Sequence, residues 1–145
     1  MTVATASQLE RSLHVTNTWL ERLEELGGFE DRDRSYAVLK AGLQTLRDRL
    51  VPDEAIDMAA QLPVTIRGMF YEGWKPSRTP EKLRDTSDLL AEFQKNLGRG
   101  DDVEPKSAMQ AVCKLLDERM TEGEVKDVRH MLNADIVNEL WPRES

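Results

Sequence analysis

The sequence predicts an all-α fold of two tandem four-helix repeats packed as one helical domain, and three observations carry that expectation. Sliding the chain against itself by 70 residues without a gap superimposes Leu13 on Leu83, Thr16 on Thr86, Leu20 on Leu90, Gly28 on Gly98, Asp31 on Asp101 and Ala41 on Ala111. The match continues through Leu46 with Leu116, Arg49 with Arg119, Glu54 with Glu124, Asp57 with Asp127, Leu62 with Leu132 and Ile66 with Ile136, so the chain is an internal duplication. Apolar residues recur at alternating intervals of four and three, the spacing of one helix face. Nowhere does the sequence alternate with the period of two that a half-buried strand needs.

The first helix of each repeat carries Thr16, Trp19, Leu20 and Leu23, answered by Thr86, Leu89, Leu90 and Phe93. Ser7 with Glu10 has the spacing of a capping box, and Ser77 falls at the equivalent place, so these helices are expected to start there. Gly27 and Gly28, and Gly98 through Gly100, tolerate the left-handed backbone that helix C-termini often require. The second helix carries Leu39, Leu43, Leu46 and Leu50, matched by Met109, Cys113, Leu116 and Met120. Pro52 suits the first turn of a third helix, and Thr121 to Glu124 offers a second capping box at the equivalent position. That short helix turns Ala55, Met58 and Leu62 inward, and Val125, Val128 and Leu132 in the second copy. Pro63 or Asn133 then opens a fourth helix carrying Ile66 and Phe70, or Ile136 and Leu140. Gly73 reads as the stop of the first fourth helix, with Trp74 folding back.

At 145 residues the chain can bury one core or two small ones packed together. It reads as a single domain over 1–145, with repeats at 7–75 and 77–145 and a linker at 75–80 stiffened by Pro76 and Pro80. A charged fraction of 32% beside 39% hydrophobic residues belongs to a folded globular chain rather than a disordered one. The net charge of −7 argues against nucleic-acid binding, which rests on Lys and Arg neutralising phosphates. Neither half hides a basic surplus, since residues 1–75 hold nine Lys and Arg against twelve Asp and Glu, and the rest eleven against fifteen. The lone Cys113 excludes an intramolecular disulfide, and Met1 to Ala4 lacks a signal-peptide pattern, so the cytoplasm is the expected compartment. No apolar run approaches the roughly 20 residues that span a bilayer, so no membrane partner is expected.

Over nearly its whole length the sequence resembles domain-of-unknown-function family 2267. The residues that carry the resemblance are Leu46-Arg47-Asp48-Arg49-Leu50, the run Ala59-Ala60-Gln61-Leu62-Pro63, and Phe70-Tyr71-Glu72-Gly73-Trp74. Asn133, where the second copy lacks the Leu-Pro pair, and Gly123 depart from the first copy. The resemblance implies an all-helical fold and a bacterial source, and supplies no catalytic or binding residues.

Several groups could carry chemistry, and the repeat weighs each. Cys113 could act as a nucleophile, but its counterpart Leu43 lies mid-stripe, which makes it a core thiol. Glu10 with His14, and Asp127 with His130, have helical spacing for metal ligands. Their counterparts do not match, with Arg84 opposite His14 and Ala60 opposite His130, so surface histidines are expected and no metal or cofactor. Glu54 and Glu124, retained in both copies, suit the positive end of a helix. Arg49 and Arg119 suit the negative end of the second helix, or bridge to Asp57 and Asp127. A helix-turn-helix reading of the third and fourth helices fails because Val64 to Phe70 offers one basic residue and the second copy offers Asp135 and Glu139.

The expected function is that of a non-enzymatic helical protein-interaction module, self-associating or binding another protein, without nucleic acid. Its candidate contact surface is Arg67, Phe70, Tyr71, Trp74 and Trp141, because aromatics with arginine are enriched at interface centres. A strong competing role for these aromatics is to fasten the fold together. The rival function is a small-ligand or enzymatic site in a crevice between the repeats, with Asp57 and Asp127 as acids and Arg49 and Arg119 orienting an anionic group. A third, an acidic surface engaging a basic partner, follows from net charge alone.

Overall fold

The computed structural model describes residues 4–83, 85–98 and 102–142. Met1, Arg84, Gly100 and Asp101, named above, lie outside them. Among the described residues the chain is all-helical: α1 (Ser7–Gly27), α2 (Arg32–Arg47), α3 (Pro52–Ala60), α4 (Val64–Tyr71), a 3₁₀ turn at Pro76–Arg78, α5 (Thr86–Leu97), α6 (Pro105–Arg119), α7 (Glu122–Met131) and α8 (Ala134–Leu140). No described residue lies in a strand.

Local chemistry explains most boundaries. Asp31 caps α2 by accepting from the Arg34 amide at 2.8 Å, and Glu104 caps α6 on the amides of Lys106 and Ser107, with Pro105 in the first turn. Thr121 caps α7 and Asn133 caps α8, each satisfying an amide that the helix itself leaves bare. Gly28, Gly73 and Gly98 all stand at positive φ just past a helix, where glycine carries no Cβ penalty.

α1 starts at Ser7 as expected but without the capping box, and the expected start of α5 needs correction. Ser7 is the first helical residue of α1, and Ala6 before it makes no side-chain cap. In the second copy Ser77 sits in the 3₁₀ turn and α5 begins only at Thr86, where Asp85 accepts from the Asp88 amide at 3.0 Å, so the linker runs on past its expected end at Pro80 through Glu81 to Leu83. Pro80 lacks an amide hydrogen and biases the residue before it towards extended backbone, and Thr79 is extended at φ −108°, ψ 150°. The helix therefore cannot run back to Ser77. Among the described residues the counterparts of the first two turns of α1 hold no α-helix, only the 3₁₀ turn at Pro76–Arg78.

The predicted stripes are buried, including Leu39, Leu43, Leu46 and Leu50 from the first copy and Met109, Cys113, Leu116 and Met120 from the second. They form one core rather than two. Packing is crosswise: α1 lies on α6, α5 lies on α2, α2 crosses α6 and α3 meets α7. Arg22 of α1 reinforces the first pairing with a two-pronged bond to Glu118 of α6, both contacts at 2.8 Å. Exchanging each helix for the one 70 residues away turns α1 on α6 into α5 on α2, and returns the α2–α6 and α3–α7 pairs to themselves.

Candidate functional site

The aromatic and arginine residues expected at a contact surface work mainly inside the fold. Phe70 and Trp141 are buried, and the Trp141 indole donates to Asp117 at 2.7 Å. Arg67 closes the end of α3, its guanidinium donating to the carbonyls of Ala59 and Leu62 at 2.9 Å each. Tyr71 and Trp74 are half-buried and tilt against each other with ring centres 5.5 Å apart, while Phe70 meets Tyr71 edge-on. This end of α4 is tied to α2, where the buried Arg47 donates to the carbonyls of Phe70 and Glu72 at 2.8 Å and Gln44 to that of Met69. The cluster fastens α4 to α2 within the first copy, and Trp141 stands apart from it just past the end of α8.

The arginine and acid set is also dispersed. Arg49 is buried and its Nη2 donates to Glu81 of the linker at 2.7 Å. Arg119 is exposed over the Trp19 ring, 5.9 Å from its centre. Among the described residues neither arginine pairs with Asp57 or Asp127, which corrects the bridging expectation. Cys113 is buried and its thiol is pushed up by burial, while His14 and His130 are exposed.

The crossing of α3 and α7 assembles something that spacing alone did not reveal. Glu54, Asp57 and Glu124 each bring a carboxylate oxygen within 4.8 Å of the others, and Glu124 and Glu54 are 70-residue counterparts. Among the described residues this is the one group of such side chains whose donor atoms could converge on a cation. Glu54 Oε2 and Glu124 Oε2 are shut off from solvent. Burial first, then sharing with Glu54 and the nearby charges of Glu54, Asp57 and Asp127, pushes Glu124 up to about 8. Glu124 is therefore diverted from the capping box: the Thr121 amide goes instead to Gln61 Oε1 at 3.1 Å.

Two grooves occupy equivalent places in the two copies. In the first copy Val15 of α1 and Leu62, Pro63 and Val64 at the start of α4 line a shallow groove of about 590 Å³. In the second copy the linker residues Pro80 to Leu83 lie along Met131, Leu132 and Ile136 and enclose a cleft of about 650 Å³. The α1 turns beside the first groove leave Leu9 and Leu13 exposed at 58% and 53%, and Val64 at 64%. Spacing alone assigns these three no contact role, because exposed leucines and valines carry no signal until the fold shows which stripe runs past the core.

Among the described residues no helix is long and apolar enough to cross a membrane. Comparison with curated proteins gives no match. A family model described as "Uncharacterized conserved protein" matches residues 16–138, and the chain belongs to that family, DUF2267.

Proposed function

We propose that this chain is a non-enzymatic helical interaction module of the cytoplasm, built from two 70-residue copies, that self-associates through the overhanging turns of α1 and the start of α4. The observation that carries the reading is the apolar stripe of α1. Leu9 and Leu13 continue, at intervals of four and three, the line of Thr16, Leu20 and Leu23, which are buried. The stripe thus runs out of the domain with its first two turns uncovered, and a contiguous uncovered apolar strip on a folded chain marks an interaction site. The groove at Val15, Pro63 and Val64 lies on the adjoining face. Knob and hole therefore sit on one surface, as a twofold contact between identical chains requires.

The duplication supports this placement, because the overhang is where the copies differ in secondary structure: the described counterparts from Ser77 to Leu83 hold a 3₁₀ turn and no α-helix. Substituting Leu13→Glu together with Val64→Glu tests it. Both side chains are exposed, so the melting temperature should hold while the solution mass falls to that of a single chain. An unchanged mass contradicts the proposal.

A further inference from the structure

We propose that the cleft under the linker is a binding site for a small organic carboxylate with an apolar body, with Arg49 as the buried cation that takes its head and Glu81 as the resident carboxylate it displaces. This is independent of self-association, which uses the other groove.

The Arg49 side chain is only 5% exposed, yet of its three guanidinium nitrogens Nη2 alone is engaged, and Nε and Nη1 have no hydrogen-bond partner. Buried arginine is normally satisfied through its planar fork, which matches a carboxylate in two-pronged fashion. Glu81 takes Nη2 but leaves Nε on the same edge bare. Its own side chain is 44% exposed, so the pair has one fixed member and one at the surface. Glu81 is held to α2 separately by its amide, which donates to the Asp48 carbonyl at 2.7 Å, and the linker stays anchored if the carboxylate leaves.

The rest of the cleft defines the ligand. Lys82 adds a second cation, while Leu83, Met131, Leu132 and Ile136 supply apolar walls. The volume, about 650 Å³, lies in the range of small-molecule sites, which combine apolar lining with a few placed polar groups. A bare phosphate would leave those walls uncovered. The first copy has no equivalent arrangement, since Arg119, the counterpart of Arg49, is exposed over Trp19.

The experiment titrates octanoate, 1-octanol and inorganic phosphate into the full chain and follows the backbone amides of Leu83 and Leu132 by NMR. Saturable octanoate shifts at these amides are expected, with 1-octanol and phosphate each weaker by about tenfold or more. Glu81→Gln removes the resident competitor and should tighten octanoate by about tenfold. Arg49→Lys, which keeps the charge and loses the fork, should weaken it. Absent octanoate binding, equal affinity for octanol or phosphate, shifts confined to other regions, or an octanoate affinity unchanged by Glu81→Gln each overturns the proposal.

Discussion

Gly42 lies against Val112, its own counterpart 70 residues along the chain: a Cβ on Gly42 would sit 2.9 Å from Val112 Cγ2. The α2–α6 crossing thus closes at a point where the missing side chain of Gly42 leaves room for that of Val112. Glu54 beside Glu124 on α3 and α7 repeats the relationship with charge in place of volume.

Gly42→Ala should therefore destabilise the fold. In a helix interior this change ordinarily gains about 0.5–1 kcal/mol, but overpacking against a χ1-stiff valine costs about 1–3 kcal/mol. A net loss of about 1 kcal/mol is expected in urea denaturation. In a Val112→Ala background the same substitution should become neutral or stabilising, and a double-mutant cycle reads the coupling directly.

Stability should depend on pH through Glu124. Its folded value of about 8 lies above the ordinary 4.5, so the folded state binds this proton more tightly than the unfolded chain. The contribution is complete below about pH 4.5 and declines as pH rises through 8. On the acid side Asp85, Glu104 and Glu118 are held below their ordinary values, chiefly by hydrogen bonds from the Asp88 amide, the Ser107 hydroxyl and Arg22 respectively. Their contribution is lost as pH falls through that lower range. Glu124→Gln should flatten the decline between about pH 4.5 and 8 and leave stability at pH 5 little changed. The gain at pH 9 should fall well short of what the full shift would give, because Glu124 is only partly buried and solvent screens its exposed part. Denaturant midpoints from pH 4 to 9 check both arms.

The caps should separate cleanly. Asp85→Ala removes the side chain that sets the start of α5 and should lower the melting temperature measurably. Ser7→Ala should cost almost nothing, since no side chain caps α1. Thermal melts of the two variants distinguish them.

Cys113 should be silent in the folded chain. Its thiol is fully enclosed and pushed up by burial, so little thiolate exists to attack a disulfide reagent at pH 8. Reaction should appear only in denaturant, at one thiol per chain.

The helical stripes and most helix boundaries were legible because they depend on local spacing and caps, as at Leu39 to Leu50 and at Asn133. The start of α5 was misplaced because similarity at Ser77 outweighed the two prolines around it. Crosswise packing was hidden, since a stripe such as Thr16 to Leu23 says that it is buried and not against what. The meeting of Glu54 with Glu124 follows from that packing and was hidden with it. Phe70 and Trp141 were placed at a contact surface because aromatics suit cores and interfaces alike, and only burial separates the two uses. Leu9 and Leu13 show the converse, apolar residues whose meaning depends on where the domain ends.

Sedimentation equilibrium of the native chain over a range of concentrations tests self-association most directly. The account predicts a mass rising with concentration from the 16.6 kDa of one chain towards that of two, and no rise for Leu13→Glu with Val64→Glu. A native chain that stays at 16.6 kDa at every concentration would contradict it.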